Sequence, residues 1–320
     1  TCGGTRSPGS GSVYDPESDS LDVPLIDEPF YESPYLGDQP QASQIWNAMI
    51  YPFVQMRFAG ATWYQGEANA EDPEGYSCRF PAMIADWRVK MDLPNMPFYY
   101  VQLAAYPDSD FSLIRSAQGA ALQLPKVGVA NAIDIGDTTG PRGPIHSRRK
   151  QEVGRRLALN ALAFQYGSDR PYKGPTVSGV QLVDTGALIG YEPTTARGLH
   201  FEGTAVCDEC CYEAPFQVLE ASGNWTRASA TIQDDGTTVH VAYENQIFGI
   251  RFNWEGYPQC ALYDGPTFGG PDDHVSIAAL PFEWCAFPSG KPMWTGQSCG
   301  LTIERGNPVP LVSSLVHVEH

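Results

Sequence analysis

The tightest constraint on this chain is a change in apolar spacing near residue 172. Before it, stretches with apolar residues three and four apart alternate with short continuous apolar runs, the signatures of helices and buried strands. The spacing predicts helices over 41–56 (kinked at Pro52), 79–91, 111–124 and 150–165, and strands over 58–64, 97–103 and 127–135. Helices between successive buried strands imply parallel crossover connections, with helices on both sheet faces. Beyond 172, runs such as 176–182, 228–232, 238–241 and 248–252 alternate apolar and polar residues between Gly, Asp and Asn turns. That texture predicts an antiparallel sandwich. The expected fold is therefore α/β: a parallel sheet with flanking helices over 1–172, including a long irregular excursion at 6–40, then a cysteine-containing β-sandwich over 173–320.

Charge narrows the partners. A net charge of -17 across 320 residues argues against nucleic acid and against an anionic membrane surface, because both reward clustered Lys and Arg. The one basic cluster, 148–156, falls on a predicted helix and is expected to be its solvated face. No apolar run approaches the roughly 20 residues needed to cross a bilayer. Of the 8 cysteines, Cys207, Cys210, Cys211, Cys260, Cys285 and Cys299 lie in the second half, a usage that suits disulfides in an oxidising compartment. A zinc site from Cys207-x-x-Cys210-Cys211 is the alternative, but the spacing recurs nowhere else and no histidine stands at ligand spacing. Asn224-Trp225-Thr226 is a glycosylation sequon, in keeping with secretion.

Three clusters sit where ligands gather in an open α/β sheet, at the carboxyl ends of strands. His146 stands in a turn just before the helical stretch 150–165, downstream of two strand-end acids, Asp134 and Asp137. A neutral imidazole can take a proton from a hydroxyl, and either acid would serve to hold its other nitrogen. Gly143, and not an acid, stands three residues before His146, so the site is also open to working as a dyad. Gln65-Gly66-Glu67 ends the strand at 58–64; an amide beside a glycine there can donate to a developing oxyanion, while the glutamate can orient neighbours or be an ordinary loop carboxylate. Gly3 and Gly4 form a pair that lets a backbone N–H approach a ligand.

Four blocks in order carry a resemblance: 46–52 (WNAMIYP), 63–69 (WYQGEAN), 80–88 (FPAMIADWR), and Ile145-His146 followed by 150–159 (KQEVGRRLAL). Together they resemble the sialate O-acetylesterase family of SGNH hydrolases, firmly over 41–165 and more thinly beyond 170. The resemblance implies a flavodoxin-like parallel sheet and hydrolysis of acetyl esters on sugar hydroxyls, as in O-acetylated sialic acid, without metal or organic cofactor. It implies His146 as base, Gln65 and Gly66 as the oxyanion block, Glu67 as site support and Gly3 or Gly4 as a second glycine block. It also implies a secreted or lysosomal setting. Ser147 stands where the family usually has proline, and Arg149 where asparagine or aspartate is common.

The family's nucleophilic serine lies in a Gly-Gln-Ser-Asn block upstream of the Gly-Gly-Thr block, while this chain begins at Thr1-Cys2-Gly3. The expectation is a carboxyl-terminal portion, a fragment or a processed subunit, whose nucleophile comes from the upstream part of the same protein. Gly296-Gln297-Ser298-Cys299-Gly300 offers Ser298 as a substitute, but a nucleophile elbow needs a strand before and a helix after, and prolines and glycines flank this one instead. A secreted carbohydrate-binding protein without catalysis is the remaining alternative.

Overall fold

Three apolar strands, β1 (Ala61–Trp63), β2 (Phe98–Gln102) and β3 (Val127–Asn131), pair in parallel in the order β1-β2-β3. The structure, a computed structural model, describes residues 44–203, 215–265 and 276–286. Strands β2 and β3 are buried at every position, as the central layer of an α/β sheet must be. Successive residues of β2 then serve opposite faces. Phe98 and Tyr100 join a core with Tyr76, Phe80, Ile84, Ile114 and Ala117, while Val101 packs with Val153 and the Tyr99 ring lies 6.0 Å from that of Phe164.

Those partners belong to three helices, α1 (Pro73–Lys90), α2 (Ser112–Gly119) and α3 (Lys150–Tyr166). Helix α1 starts six residues before the predicted 79. Asp72 accepts from the Gly75 N–H at 3.0 Å, and Pro73, whose missing donor costs nothing at the first position, follows it. Its buried residues Tyr76, Phe80, Ile84 and Arg88 fall four apart, one face of a helix. Helix α3 ends at Gly167, whose left-handed φ of 64° suits a residue without Cβ. It lies so close to the sheet that a Cβ on Gly128 would run into the Asn160 amide oxygen.

One expectation fails. The stretch predicted as a helix over 41–56 is a π turn, Trp46–Ile50, followed by a 3-10 turn, Tyr51–Phe53. Ile50 and Val54 pack on the core, but Ile45, Met49 and Phe53, counted on the same face by spacing, are 62%, 58% and 48% exposed. Pro52, with no N–H to give, interrupts the regular ladder there.

Beyond residue 172 the chain forms β4 (Val177–Val183), β5 (Gly186–Tyr191), β6 (His200–Gly203), β7 (Phe216–Leu219), β8 (Trp225–Ala228), β9 (Ala230–Ile232), β10 (Thr238–Ala242), β11 (Gly249–Phe252), β12 (Cys260–Tyr263) and β13 (Phe282–Cys285). All their pairings are antiparallel: β4-β5-β10-β9, β13-β11-β7-β8 and the ribbon β12-β6. The two four-stranded sheets bury Ile189, Val239, Val241, Phe216, Val218, Ile250 and Phe252 in one common core. The described cysteines Cys78, Cys260 and Cys285 are not free thiols. No described helix is long and apolar enough to cross a membrane.

Polar bonds stitch the antiparallel part to the carboxyl ends of the parallel strands. Arg156 of α3 grips Asp134 through two nitrogens at 2.6 and 2.7 Å, and Tyr263 of β12 donates to the same carboxylate at 3.2 Å. Asn131 donates to the carbonyls of Ala278 and Ala279 at 3.2 and 2.9 Å. Arg156 is 2% and Asp134 5% exposed, so removing Asp134 leaves the buried guanidinium under-compensated, with Glu152 at 2.7 Å as its remaining described carboxylate. Asp134→Ala should cost about 3–5 kcal/mol in urea denaturation. Asp134→Leu combined with Arg156→Met should cost clearly less; equal losses would mean that packing, and not the under-compensated charge, sets the penalty.

Candidate active site

The segments that leave β1 and β3 at their carboxyl ends carry Gln65, Gly66, Glu67, Asp134, Asp137 and His146, as open parallel sheets arrange site residues. After β1 the chain turns through Tyr64-Gln65-Gly66 into a 3-10 turn, Glu67–Asn69. Gly66 makes that turn with φ 153° and ψ -20°, outside the range open to L side chains, and a Cβ there would press on Leu103 and Gln118.

Gln65 is held on all sides but one. Its amide nitrogen donates to Asn69 Oδ1 at 2.7 Å, its Oε1 accepts from the Tyr76 hydroxyl at 3.2 Å, and its backbone carbonyl accepts from Gln118 Nε2 at 3.1 Å. One amide N–H is left without a partner among the described residues. A donor fixed in this way, with one hydrogen unspent, suits a developing oxyanion, because no reorganisation is needed at the moment of reaction. Gln118, fully buried on α2, also donates to the Val101 carbonyl and accepts from the Leu103 N–H, each at 3.1 Å.

His146 is exposed, and its Nδ1 lies 3.1 Å from the Arg142 carbonyl. A carbonyl only accepts, so Nδ1 carries the hydrogen and Nε2 of the neutral ring keeps its lone pair. The orienting group is thus a backbone oxygen. Neither acid considered from sequence bonds to the ring: Asp134 is spent on Arg156 and Tyr263, and Asp137 on Arg148, whose Nε and Nη2 reach it at 2.7 and 2.9 Å. Asp134 instead ties α3 to β12, and Asp137 shapes the loop that presents His146. Asp137 ties the loop's start to Arg148, and Ser147, buried, donates to the Ile135 carbonyl at 2.7 Å. The hydroxyl at 147 thereby anchors the chain directly behind the histidine.

Lys150, the first residue of α3, joins this loop to the Gln65 segment. Its ammonium lies 4.5 Å from the centre of the Tyr64 ring and 3.5 Å from the Tyr64 hydroxyl. Burial, aided by the Glu67 carboxylate, pushes the Tyr64 hydroxyl up to about 12, so it stays neutral. Desolvation against the ring draws Lys150 below the ordinary lysine range, opposed by Glu67. Among the described residues no group of three or more His, Cys, Asp or Glu is placed to hold a metal. Gly3, Gly4, Ser298 and the Cys207–Cys211 cluster lie outside the described residues.

Sequence spacing found the segments but missed Tyr76, Gln118 and Lys150. The signal for Gln118 is a polar side chain one turn after Ile114 and next to Ala117 on a short helix that is buried almost all round. Such a residue must find partners inside.

Residues 41–163 match the carbohydrate esterase family described as sialic acid-specific acetylesterase. The chain is 30% identical over 246 residues to the sialate O-acetylesterase of Mus musculus, covering 69% of this chain and 44% of that protein. It is also 30% identical over 247 residues to the sialate O-acetylesterase of Homo sapiens, covering 69% of this chain and 46% of that protein. The chain therefore spans less than half the length of these relatives. A crystal structure of a carbohydrate acetylesterase from Xanthomonas citri superposes with a TM-score of 0.61 at 27% identity, covering 76% of this chain and 54% of that one.

Two outcomes are expected. Gln118→Ala orphans the Leu103 N–H and leaves the Gln65 carbonyl with the Tyr76 hydroxyl at 3.3 Å alone, and should lower stability by about 1–3 kcal/mol in chemical denaturation. Unchanged stability would show that water replaces the amide. The Arg148 guanidinium beside Asp137 holds that carboxyl well below the usual carboxylate range. A lowered native value means that the pairing stabilises the loop fully above the unfolded pKa of about 3.9 and is lost as pH falls further. Hydrogen exchange of amides 138–148, taken relative to the intrinsic rate at each pH, should therefore stay slow from neutrality down to about pH 4 and quicken below it. In Arg148→Ala it should be fast throughout.

Proposed function

Because this chain belongs to the sialic acid-specific acetylesterase family of carbohydrate esterases, we propose that it hydrolyses acetyl esters on sugar hydroxyls, with O-acetylated sialic acid as the substrate class. The observation that carries the mechanism is the joint presentation, beyond the carboxyl ends of the parallel strands, of an amide with an unspent N–H at Gln65 and an imidazole with a free Nε2 at His146. The Lys150–Tyr64 contact links their two segments.

In the proposed reaction the nucleophilic serine that the family resemblance implies attacks the acetyl carbonyl as His146 Nε2 takes its proton. The carbonyl oxygen, now negative, accepts hydrogen bonds from Gln65 and from backbone N–H groups, with Gly3 or Gly4 contributing the second glycine block. Collapse breaks the ester bond, and the sugar oxygen leaves with the proton from His146. Water, deprotonated by His146, then cleaves the acetyl-serine, releasing acetate and restoring the hydroxyl. Glu67 supports the site electrostatically beside Tyr64 and Lys150. No cofactor is required. A secreted or lysosomal setting is supported by the absence of free thiols among the described cysteines and by the exposed sequon residue Asn224 on the turn between β7 and β8.

The test uses the full-length gene product with 4-nitrophenyl acetate and acetylated sialic acid. His146→Ala should abolish turnover, and Gln65→Ala should lower kcat about 10²–10³-fold, as removal of one oxyanion donor does. Retention of wild-type rates by His146→Ala would remove the proposed mechanism.

A further inference from the structure

The basic cluster 148–156 is mostly neutralised within the protein. Arg148 pairs with Asp137 at 2.7 Å, Arg155 with Glu152 at 2.7 Å, and Arg156 with both Asp134 and Glu152 at 2.6 and 2.7 Å. Among the described residues neither Arg149 nor Lys150 has a carboxylate within ion-pair distance, but Lys150 is the one set against the segment of Gln65, and Glu67 acts on it only at longer range. The side chain is exposed, yet it is laid against the Tyr64 ring, in contact with the residue next to Gln65 and four residues after His146. Its one described hydrogen bond, at 3.5 Å, runs to the Tyr64 oxygen, so the Tyr64 hydroxyl hydrogen keeps its freedom to donate outward.

A chain of net charge -17 repels anions as a whole. The Lys150 ammonium, on the contact that joins the segments of the proposed base and the proposed oxyanion donor, sets a local positive charge against that field. An ammonium with three donors, beside a neutral hydroxyl with one, matches a single carboxylate without demanding fixed bidentate geometry. We propose that Lys150, aided by the Tyr64 hydroxyl, receives the carboxylate of an acidic acetylated sugar and so makes this site select anionic over neutral substrates.

This rests on the acetylesterase reading, and the experiment separates the two. With the full-length protein, KM is measured for O-acetylated sialic acid and for its methyl ester, which keeps the shape but loses the charge. The wild type should favour the free acid by roughly five- to tenfold, the range of a partly solvated charge-assisted bond. In Lys150→Met that ratio should fall to near one, and in Lys150→Arg most of it should return. The preference should shrink with added salt. Binding of sialic acid itself, followed by calorimetry, gives the same comparison without turnover. If Lys150→Met weakens both esters equally, Lys150 only positions Tyr64 and the proposal falls; it falls likewise if the wild type treats the two alike. Lys150-dependent binding without any ester hydrolysis would instead overturn the acetylesterase reading and leave the carboxylate site standing.

Discussion

The guanidinium of Arg115 is the joint on which the architecture turns. It is fully buried, no described carboxylate pairs with it, and its donors reach four carbonyl oxygens: Leu103 and Ala104 just past β2, and Glu255 and Gly256 from the loop after β11. Burial lowers its pKa to about 10, which still leaves it charged at neutral pH. A rigid five-donor fork satisfies several carbonyls at once, whereas a lysine ammonium presents three donors from a single point. Charge at this place is tolerated because carbonyl dipoles from two distant parts of the chain converge on it.

That convergence explains why the two halves, so different in texture, share a boundary rich in polar bonds. The strand-end segment Leu103–Tyr106 is clamped from one side by Arg115 and from the other by the Tyr106 N–H, which donates to the Gly256 carbonyl at 2.9 Å. Asn131 and Asp134 make the same kind of link at the end of β3. The loops leaving the parallel sheet are thus braced from behind by the antiparallel half. The segments carrying Gln65 and His146 then need only local bonds, from Gln118, Tyr76, Arg148 and Ser147, to hold their conformations.

Legibility from sequence follows how local each determinant is. All three parallel strands, helices near 79–91 and 150–165, and the change of texture near 172 are readable, because periodicity is a local property of apolar spacing. The start of α1 was hidden in Asp72-Pro73-Glu74-Gly75, whose residues suit a turn as well as a helix cap. The stretch 41–56 misleads for the opposite reason. Its spacing is helical, but several of its apolar side chains remain exposed and its backbone winds as π and 3-10 turns. The carboxylates beside His146 show the limit most clearly. Sequence proximity nominated Asp134 and Asp137 as its partners, but an acid binds whichever cation the fold brings nearest, and these were Arg156 and Arg148.

By itself, then, the sequence determined the kind of layers, the order of the elements and the segments Gln65-Gly66-Glu67 and Ile145-His146 as candidates, because strand periodicity and short motifs are written in neighbouring residues. Only the tertiary structure decided the partners of each polar side chain: a backbone carbonyl for His146, a buried amide for the Gln65 carbonyl, a tyrosine ring for Lys150. The physical reason is that hydrogen bonds and ion pairs act over a few ångströms in space. The groups they joined here stand as far apart along the chain as Tyr64 from Lys150, or Arg115 from Gly256.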